Sequence, residues 1–284
     1  MMILMFFCVA FVVSCTSNNN IKLQKLWETQ DVFMTPESVV YDNLRNCLYV
    51  SNFNDKEGFR QKEDTLYNEC ISKIDLNGNI VEFRWVDHLL GPTGIAVLKD
   101  TLYAVERGCL AKIDIKERKI TQRILIENTG FLNGIVVDKN GDVYLSDSQK
   151  GAIYRVRGNQ CSLWFQDSLI AGANGLLIGN NTLIVGNKGE YNLISISMTE
   201  KKMTKRVPVD INSIDGIAKY KNGYIVSWMS KIMMVDHNGS SQLLLDTQSN
   251  NAPNADFEFL SKENIIVVPM LNANKVIAYK IVDK

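Results

Sequence analysis

Residues 133–147 read NGIVVDKNGDVYLSD, and this stretch carries the pattern that decides the fold. Two apolar runs, IVV and VYL, flank a polar turn at residues 139–142 (KNGD). β-Branched and aromatic residues favour strands, and an Asn-Gly turn between two such runs is typical of a β-hairpin. The stretch therefore predicts a hairpin whose first strand begins with an Asn-Gly pair.

The same unit recurs along the chain. Its copies begin at Glu37, Thr93, Asn133, Asn174, Asp215 and Asp256. From 93 onward the steps between these positions are 40, 41, 41 and 41 residues, and the first step is 56 because it contains a charged insertion at residues 53–69. A period near 40 residues with several strand-like runs is typical of a propeller blade. The sequence therefore predicts an all-β protein, a six-bladed β-propeller with four-stranded antiparallel blades.

The last copy of the repeat is one strand short. After residue 256 the chain has apolar runs only at residues 257–260, 265–270 and 276–282, although a full blade needs four strands. The missing outer strand can come from residues 23–29 (LQKLWET). We expect this N-terminal strand to complete the last blade, because a blade shared between the termini closes the ring and removes open sheet edges.

The six leading residues all have an oxygen in their side chains, and three are carboxylates. The innermost strand of each blade lines the central channel, so we expect all six at one mouth of that channel. Crowded carboxylates need a countercharge, and oxygen ligands suit Ca²⁺, with Mg²⁺ or Mn²⁺ also acceptable. The pattern favours a divalent cation, most of all Ca²⁺. The other interpretation is that Asn-Gly and Asp-Gly are turn residues repeated because blades repeat.

Four short motifs of the repeat are more specific, namely Pro36-Glu37, Asn133-Gly134, Asn174-Gly175-Leu176 and Asp215-Gly216. With these motifs the chain resembles the gluconolactonase/regucalcin (senescence marker protein) family of six-bladed propellers over essentially its whole length after the N-terminal segment. Members of that family hydrolyse lactones and related esters. The resemblance implies one divalent cation held by Glu37, Asn174 and Asp215, with Asn133 contacting the substrate or a water on the cation.

The resemblance also implies a mechanism, in which the cation polarises the lactone carbonyl and Asp215 accepts a proton from the attacking water. Asp147 and Asp256 are expected to support the ligands from behind. The Arg that the family has shortly before the blade-three Asn is replaced here by Phe131-Leu132, and Arg107 is the candidate substitute. Trp228 makes part of the mouth apolar, which suits a more hydrophobic lactone or ester.

Composition and charge exclude several other functions. The 284 residues include 31 basic and 31 acidic side chains, and this zero net charge argues against a nucleic-acid partner. Only two histidines occur, so a three-His zinc site is impossible. We expect a monomer that acts on a small lactone or ester. The alternative function is a non-catalytic exported propeller that binds a carbohydrate, peptide or protein at the same mouth.

The N-terminus has the pattern of an exported lipoprotein. Residues 1–14 (MMILMFFCVAFVVS) are apolar, too short to span a bilayer and followed by Cys15. The stretch VVSC resembles a bacterial lipobox, although no basic residue precedes the apolar run. We expect residues 1–15 to be a signal with a lipidated Cys15, residues 16–21 a tether and residues 22–284 the propeller. The protein would then lie in the bacterial cell envelope, bound to the membrane only through its lipid.

Four cysteines remain after this segment, Cys47, Cys70, Cys109 and Cys161. In an exported protein they could form two disulfides, with three possible pairings. Their irregular spacing within apolar runs favours buried free thiols over disulfides.

If Cys15 is lipidated, mass spectrometry of the protein from bacterial membranes should show a mature chain that begins at a lipid-modified Cys15. The variant Cys15→Ser should lack the lipid mass. An uncleaved and unmodified N-terminus in the parent protein would contradict this expectation.

Overall fold

We analysed a computed structural model of the chain, which describes residues 21–54, 69–188, 192–211 and 213–284. The expected signal segment, Cys15 and most of the tether lie outside the described residues, as does most of the insertion at 53–69. Ile21, which the sequence assigned to the tether, is buried and begins the first strand.

The fold is a six-bladed β-propeller, as the repeat predicts. Every blade is a four-stranded antiparallel sheet. Short 3-10 turns lie at Ser168–Ile170 and Gln248–Asn250. Among the residues that the structure describes, no helix has the length and apolar character needed to cross a membrane.

The strands follow the chain from the axis outward in blades one to five. Blade one contains β2 (Pro36–Asp42), β3 (Cys47–Asn52), β4 (Glu69–Ile74) and β5 (Ile80–Leu89). Blade two contains β6 (Ile95–Leu98), β7 (Thr101–Glu106), β8 (Cys109–Asp114) and β9 (Lys119–Leu125). Blade three contains β10 (Leu132–Val137), β11 (Val143–Asp147), β12 (Ala152–Arg157) and β13 (Gln160–Gln166).

Blades four and five repeat this order. Blade four contains β14 (Leu176–Ile178), β15 (Thr182–Gly186), β16 (Asn192–Ser197) and β17 (Met203–Pro208). Blade five contains β18 (Ile217–Tyr220), β19 (Gly223–Trp228), β20 (Lys231–Asp236) and β21 (Ser241–Asp246).

Blade six is shared between the two ends of the chain, as expected from the missing strand. It contains β22 (Glu258–Leu260), β23 (Ile265–Met270), β24 (Lys275–Asp283) and, outermost, β1 (Ile21–Glu28). Strand β1 pairs antiparallel with β24, from Ile21 opposite Asp283 to Glu28 opposite Ile277. The pairing satisfies the backbone of the terminal strand and ties the first residues of the fold to the last.

The hydrophobic core consists of clusters between neighbouring blades. One cluster joins blades six and one and includes Val39, Val50 and Val267. Corresponding clusters pack blade one on two, two on three, three on four, four on five and five on six. A single blade cannot bury both faces of its sheet by itself, so burial of apolar surface holds the ring together.

The four cysteines of the propeller are all free, as favoured from their spacing. Cys47 and Cys70 are buried, and Cys109 and Cys161 are partly buried. Burial raises the pKa of the Cys70 thiol to about 12, which keeps it protonated.

The closing strand offers a test of ring closure. Ile21 is 1% exposed and packs between blades five and six, whereas Leu26 on the same strand is 46% exposed. We expect Ile21→Ala to lower the free energy of unfolding by about 2–5 kcal/mol, through lost burial and a cavity. Leu26→Ala is the matched control and should change it by less than about 0.5 kcal/mol. Urea unfolding of both variants measures the difference, and equal effects would show that β1 does not close the core.

Candidate functional site

The six leading residues form a ring at one end of the channel, because the innermost strands contact one another around the axis. In blade two the Gly94 N–H donates to the Asn133 carbonyl of blade three (3.1 Å). In blade four the Gly175 N–H donates to the Ile214 carbonyl of blade five (3.3 Å). The Asp256 N–H of blade six donates to the Glu37 carbonyl of blade one (3.0 Å), which closes the circle.

Buried serines support this ring in alternate blades. The Ser146 hydroxyl accepts from the Gly134 N–H (2.8 Å) and donates to the Asn174 carbonyl of the next blade (2.7 Å). Ser227 in blade five makes the corresponding bonds to the Gly216 N–H and the Ala255 carbonyl, each 2.9 Å long. These hydroxyls satisfy backbone groups that would otherwise be buried without partners.

Glycine after the leading residue is required by the close approach of neighbouring blades. A Cβ on Gly175 would lie 1.9 Å from the Asp215 carbonyl oxygen, and one on Gly134 would lie 2.3 Å from the Asn174 carbonyl oxygen. No side chain fits at either distance. The Asn-Gly pairs are therefore packing features of the axis as well as strand starts.

The carboxylates of three neighbouring blades interact at this mouth. Asp215 is 8% exposed, and the Asn174 side chain, itself 7% exposed, is hydrogen-bonded to it. The Asp256 carboxylate accepts from the Ser38 hydroxyl (2.9 Å). The charges of Asp215 and Asp256 both act on Glu37, whose backbone is bonded to Asp256. The structure therefore brings Glu37, Asn174 and Asp215 into one electrostatic cluster together with Asp256.

Two carboxylate oxygens of this cluster have no partner among the described residues. They are Oε2 of Glu37 and Oδ1 of Asp215, and both atoms are buried. A buried carboxylate oxygen without a hydrogen bond is costly unless a proton or a cation satisfies it. The cluster therefore has free donor atoms for a cation.

The pKa values of the cluster reflect this burial. Burial raises the pKa of Asp215 to about 7, although the hydrogen bond with Asn174 opposes the rise. Burial, followed by the charges of Asp215 and Asp256, raises the pKa of Glu37 well above its usual range. Burial and the charge of Asp215 do the same for Asp256. Without a countercharge, the acids cannot all be ionised at neutral pH.

Asp, Glu, Cys and His side chains alone do not form a metal site among the described residues. Over the described ranges of the chain, no three His, Cys, Asp or Glu side chains lie close enough together to hold a metal ion. A cation at the mouth would therefore need the amide oxygen of Asn174 in addition to the carboxylates of Glu37 and Asp215, which is the mixed set that the resemblance implies.

Asp147 does not contact the ligand candidates. Its carboxylate accepts from the backbone N–H groups of Gly130 (2.7 Å), Phe131 (3.0 Å), Gln149 (3.1 Å) and Lys150 (3.0 Å). These bonds hold the loop that leads into Asn133. Asp256 lies beside Glu37, since its N–H donates to the Glu37 carbonyl and its carboxylate accepts from Ser38.

The residues that end the second strands of blades one and two are buried beneath the preceding loops, and the sequence did not predict this. Asn52 and Glu106 are almost fully buried, and each accepts a hydrogen bond from the backbone of the loop that precedes its own blade, at Met34 and Leu90 respectively. These bonds hold the loops that enter blades one and two.

The three substrate-binding candidates lie in different surroundings. Asn133 is partly buried next to Thr93, whose hydroxyl donates to the Asn133 carbonyl (3.1 Å). Arg107 is partly exposed and packs against Gly91, in the loop before blade two. Its Nε lies 3.1 Å from the point that a Cβ on Gly91 would occupy. Trp228 is partly buried against the core between blades four and five.

Sequence reasoning missed Asn254, two residues before Asp256. Its side chain is 1% exposed, and neither its Oδ1 nor its Nδ2 has a partner among the described residues. Nothing in the sequence distinguishes it from the other asparagines of its turn-rich segment. The sequence also did not predict the bond between blades six and one in which the Glu258 carboxylate accepts a hydrogen bond from the Tyr41 N–H (2.9 Å).

Comparison with known proteins gives structural matches only. No family model matches the chain, and no curated protein matches its sequence. A gluconolactonase from Xanthomonas campestris is 14% identical, with a TM-score of 0.68, over 92% of this chain and 89% of that one. A structure described as a putative gluconolactonase is 13% identical, with a TM-score of 0.67, over 92% of both chains.

A further match is a catalytically inactive virginiamycin B lyase from Staphylococcus aureus, solved with quinupristin. It is 16% identical, with a TM-score of 0.64, over 92% of this chain and all of that one. Identities this low show a shared fold and no more. The chain therefore shares a propeller fold with these structures, and the resemblance to gluconolactonases seen in its sequence is confirmed at the level of the fold.

The raised pKa of Asp215 predicts how stability depends on pH when no cation is present. The folded protein holds this proton up to about pH 7, whereas the unfolded chain releases it near pH 3.8. Stability should therefore fall as the pH rises from about 4 to 7, by up to about 4 kcal/mol for this group. The similarly raised pKa values of Glu37 and Asp256 act in the same direction.

We expect Asp215→Asn to reduce this loss, so that the variant becomes more stable than the parent at pH 8 in EDTA but not at pH 4. Denaturant unfolding across that range measures the effect. The exposed Glu263→Gln is the control and should follow the parent curve. Parallel curves for Asp215→Asn and the parent would show that Asp215 is not held protonated by the fold.

Proposed function

We propose that the protein is a divalent-cation-dependent hydrolase of a lactone or related ester, with its active site at the channel mouth. The observation that carries the proposal is the pair of buried, unpartnered carboxylate oxygens on Glu37 and Asp215, beside the amide of Asn174. The shared fold with gluconolactonases supports the choice of reaction. We also propose that the protein acts as a monomer, anchored in the cell envelope through Cys15.

The donor set fits a hard cation. Glu37, Asn174 and Asp215 would supply carboxylate and amide oxygens, and solvent would complete the six to eight ligands that Ca²⁺ takes. Mg²⁺ and Mn²⁺ also accept such ligands, so Ca²⁺ is the first choice among three. Without sulfur or imidazole in the set, zinc is a poorer fit.

A bound cation would also change the ionisation of the cluster. A positive charge next to buried carboxylates favours their ionised forms and lowers their pKa values. Asp215 would then be ionised at neutral pH in the loaded protein, whereas burial holds its pKa near 7 without the cation. Asp256 would contribute negative charge from behind Glu37 while keeping its bond to Ser38.

The chemistry divides among the residues of the mouth. A bound cation supplies the positive charge that polarises an ester carbonyl. Asp215 accepts the proton of the attacking water as general base, since its carboxylate lies at the mouth and has a free oxygen. Asn133 orients the substrate, and the Asn174 amide keeps the Asp215 carboxylate in place. Arg107 and Trp228 would contact the remainder of the substrate.

A purely binding role remains the alternative. A propeller that captures a carbohydrate, peptide or protein at its mouth would share the fold. Such a protein does not need buried carboxylates with free oxygens. The unpartnered oxygens of Glu37 and Asp215 therefore favour the enzyme.

Metal titration coupled to hydrolysis tests the proposal. The parent protein should bind one Ca²⁺, Mg²⁺ or Mn²⁺ by calorimetry and hydrolyse at least one member of a panel of small lactones and esters, with loss of activity in EDTA. Asp215→Asn should lower hydrolysis by at least about 100-fold, because it removes both the base and a ligand charge. Glu37→Gln and Asn174→Ala should weaken cation binding.

The exposed Glu263→Gln serves again as the matched carboxylate control and should keep full activity. Full activity in Asp215→Asn, or no cation binding by the parent protein, would refute the enzyme. Cation binding without hydrolysis of any panel member would favour the binding protein.

A further inference from the structure

The loop that joins the last blade to the first contains a residue in an unfavourable conformation. Thr35 has a φ of 49°, in the left-handed region. β-Branched residues avoid this region, and a residue that precedes proline is normally extended. Thr35 is β-branched and precedes Pro36, so two independent preferences oppose its conformation. Such a conformation persists only where surrounding contacts impose it.

Contacts from two different blades impose it here. The Thr35 N–H donates to Oδ1 of Asn274 in blade six (3.0 Å), a residue 239 positions away in the chain. The Thr35 carbonyl accepts from the Phe53 N–H in blade one (3.1 Å). The peptide of Thr35 is therefore held on both sides, by groups that only ring closure brings together.

The residues before Thr35 are held in the same way. The Phe33 N–H donates to the Asn274 carbonyl (3.1 Å), and the Met34 N–H donates to Oδ1 of Asn52 (3.0 Å). The loop therefore approaches the axis along a path that blades six and one determine jointly.

This path leads directly into Glu37. Strand β2 pairs with β3 in one register at Pro36 and in another at Val39, so that Glu37 lies within a bulge. Bulges re-aim side chains and are common next to active sites. The direction in which the chain enters this bulge depends on the dihedral angles of Thr35.

We propose that Thr35 and Asn274 form a clamp that positions Glu37 for cation binding, with Asn274 as a positioning residue that does not itself touch the cation. This inference rests on the proposed function of the mouth. Without the Asn274 acceptor, Thr35 relaxes toward the extended conformation that its side chain and Pro36 both favour. Glu37 then moves away from Asn174 and Asp215. Glycine at position 35 removes the preference that comes from β-branching and adopts the left-handed region as readily as the extended one, so it depends less on the clamp.

A double-mutant cycle on the full-length protein tests the clamp. Asn274→Ala should weaken Ca²⁺ binding, measured by calorimetry, by about 10-fold or more. Thr35→Gly should bind within about 3-fold of the parent, and Thr35→Gly combined with Asn274→Ala should recover binding to within about 3-fold. Asn272→Ala is the matched control, because Asn272 is an exposed asparagine of the same turn. It should leave binding unchanged.

Thermal unfolding in EDTA gives a readout that does not involve the cation. The loss of melting temperature caused by Asn274→Ala should be smaller in the Thr35→Gly background than in the parent, because the part of the strain that comes from the β-branched side chain is then absent. A merely structural Asn274 would lower the melting temperature equally in both backgrounds, and Thr35→Gly would not rescue Ca²⁺ binding.

The outcomes separate this inference from the proposed function. If the parent binds Ca²⁺ and Asn274→Ala binds it equally well, or the double variant is not rescued, the clamp is refuted while the cation site stands. If the parent binds no Ca²⁺, Mg²⁺ or Mn²⁺, the proposed function and the positioning role both fail.

Discussion

The structure depends on the contact between neighbouring innermost strands at the axis. Backbone N–H groups and buried serine hydroxyls of one blade donate hydrogen bonds to backbone carbonyls at the start of the innermost strand of the next blade. The last of these contacts, from the Asp256 N–H to the Glu37 carbonyl, joins the two ends of the repeat. Because glycine follows most of the leading residues, the backbones approach within distances that no Cβ could tolerate. The apolar clusters between blades then hold this arrangement from outside.

The same close approach creates the chemistry of the mouth. It forces side chains from blades one, four, five and six into one partly dry cluster. Burial raises the pKa values of Glu37, Asp215 and Asp256, and neighbouring negative charges raise those of Glu37 and Asp256 further. A fold selected only for stability would gain by replacing such groups with apolar residues. In the proposed hydrolase, a bound cation would offset this cost.

The polar residues around the mouth serve two different purposes. Asn52, Glu106 and Asp147 are buried and bond the backbone of the loops that lead to the axis. Glu37 and Asp215 instead each keep one buried oxygen without a partner among the described residues. The distinction is visible in hydrogen bonding and not in residue type, since both groups contain carboxylates. In the proposed function, structural support and chemistry would therefore belong to adjacent rings built from the same kinds of side chain.

Much of this architecture follows from the sequence alone. A period of about 41 residues determined the number of blades and placed the leading residues in register, and the missing strand after Asp256 determined that β1 closes the ring. Periodicity reports these features because each blade repeats one local pattern of apolar runs and turns.

Only the tertiary structure decided which polar atoms are satisfied. The left-handed Thr35 donates to Asn274, which lies 239 residues away in the chain, and Asp147 accepts from Gly130 and Phe131 in the loop before its own blade. The side chain of Asn254 is buried without a partner among the described residues. A sequence pattern carries no record of the bond between Thr35 and Asn274, because this bond forms only when the ring closes.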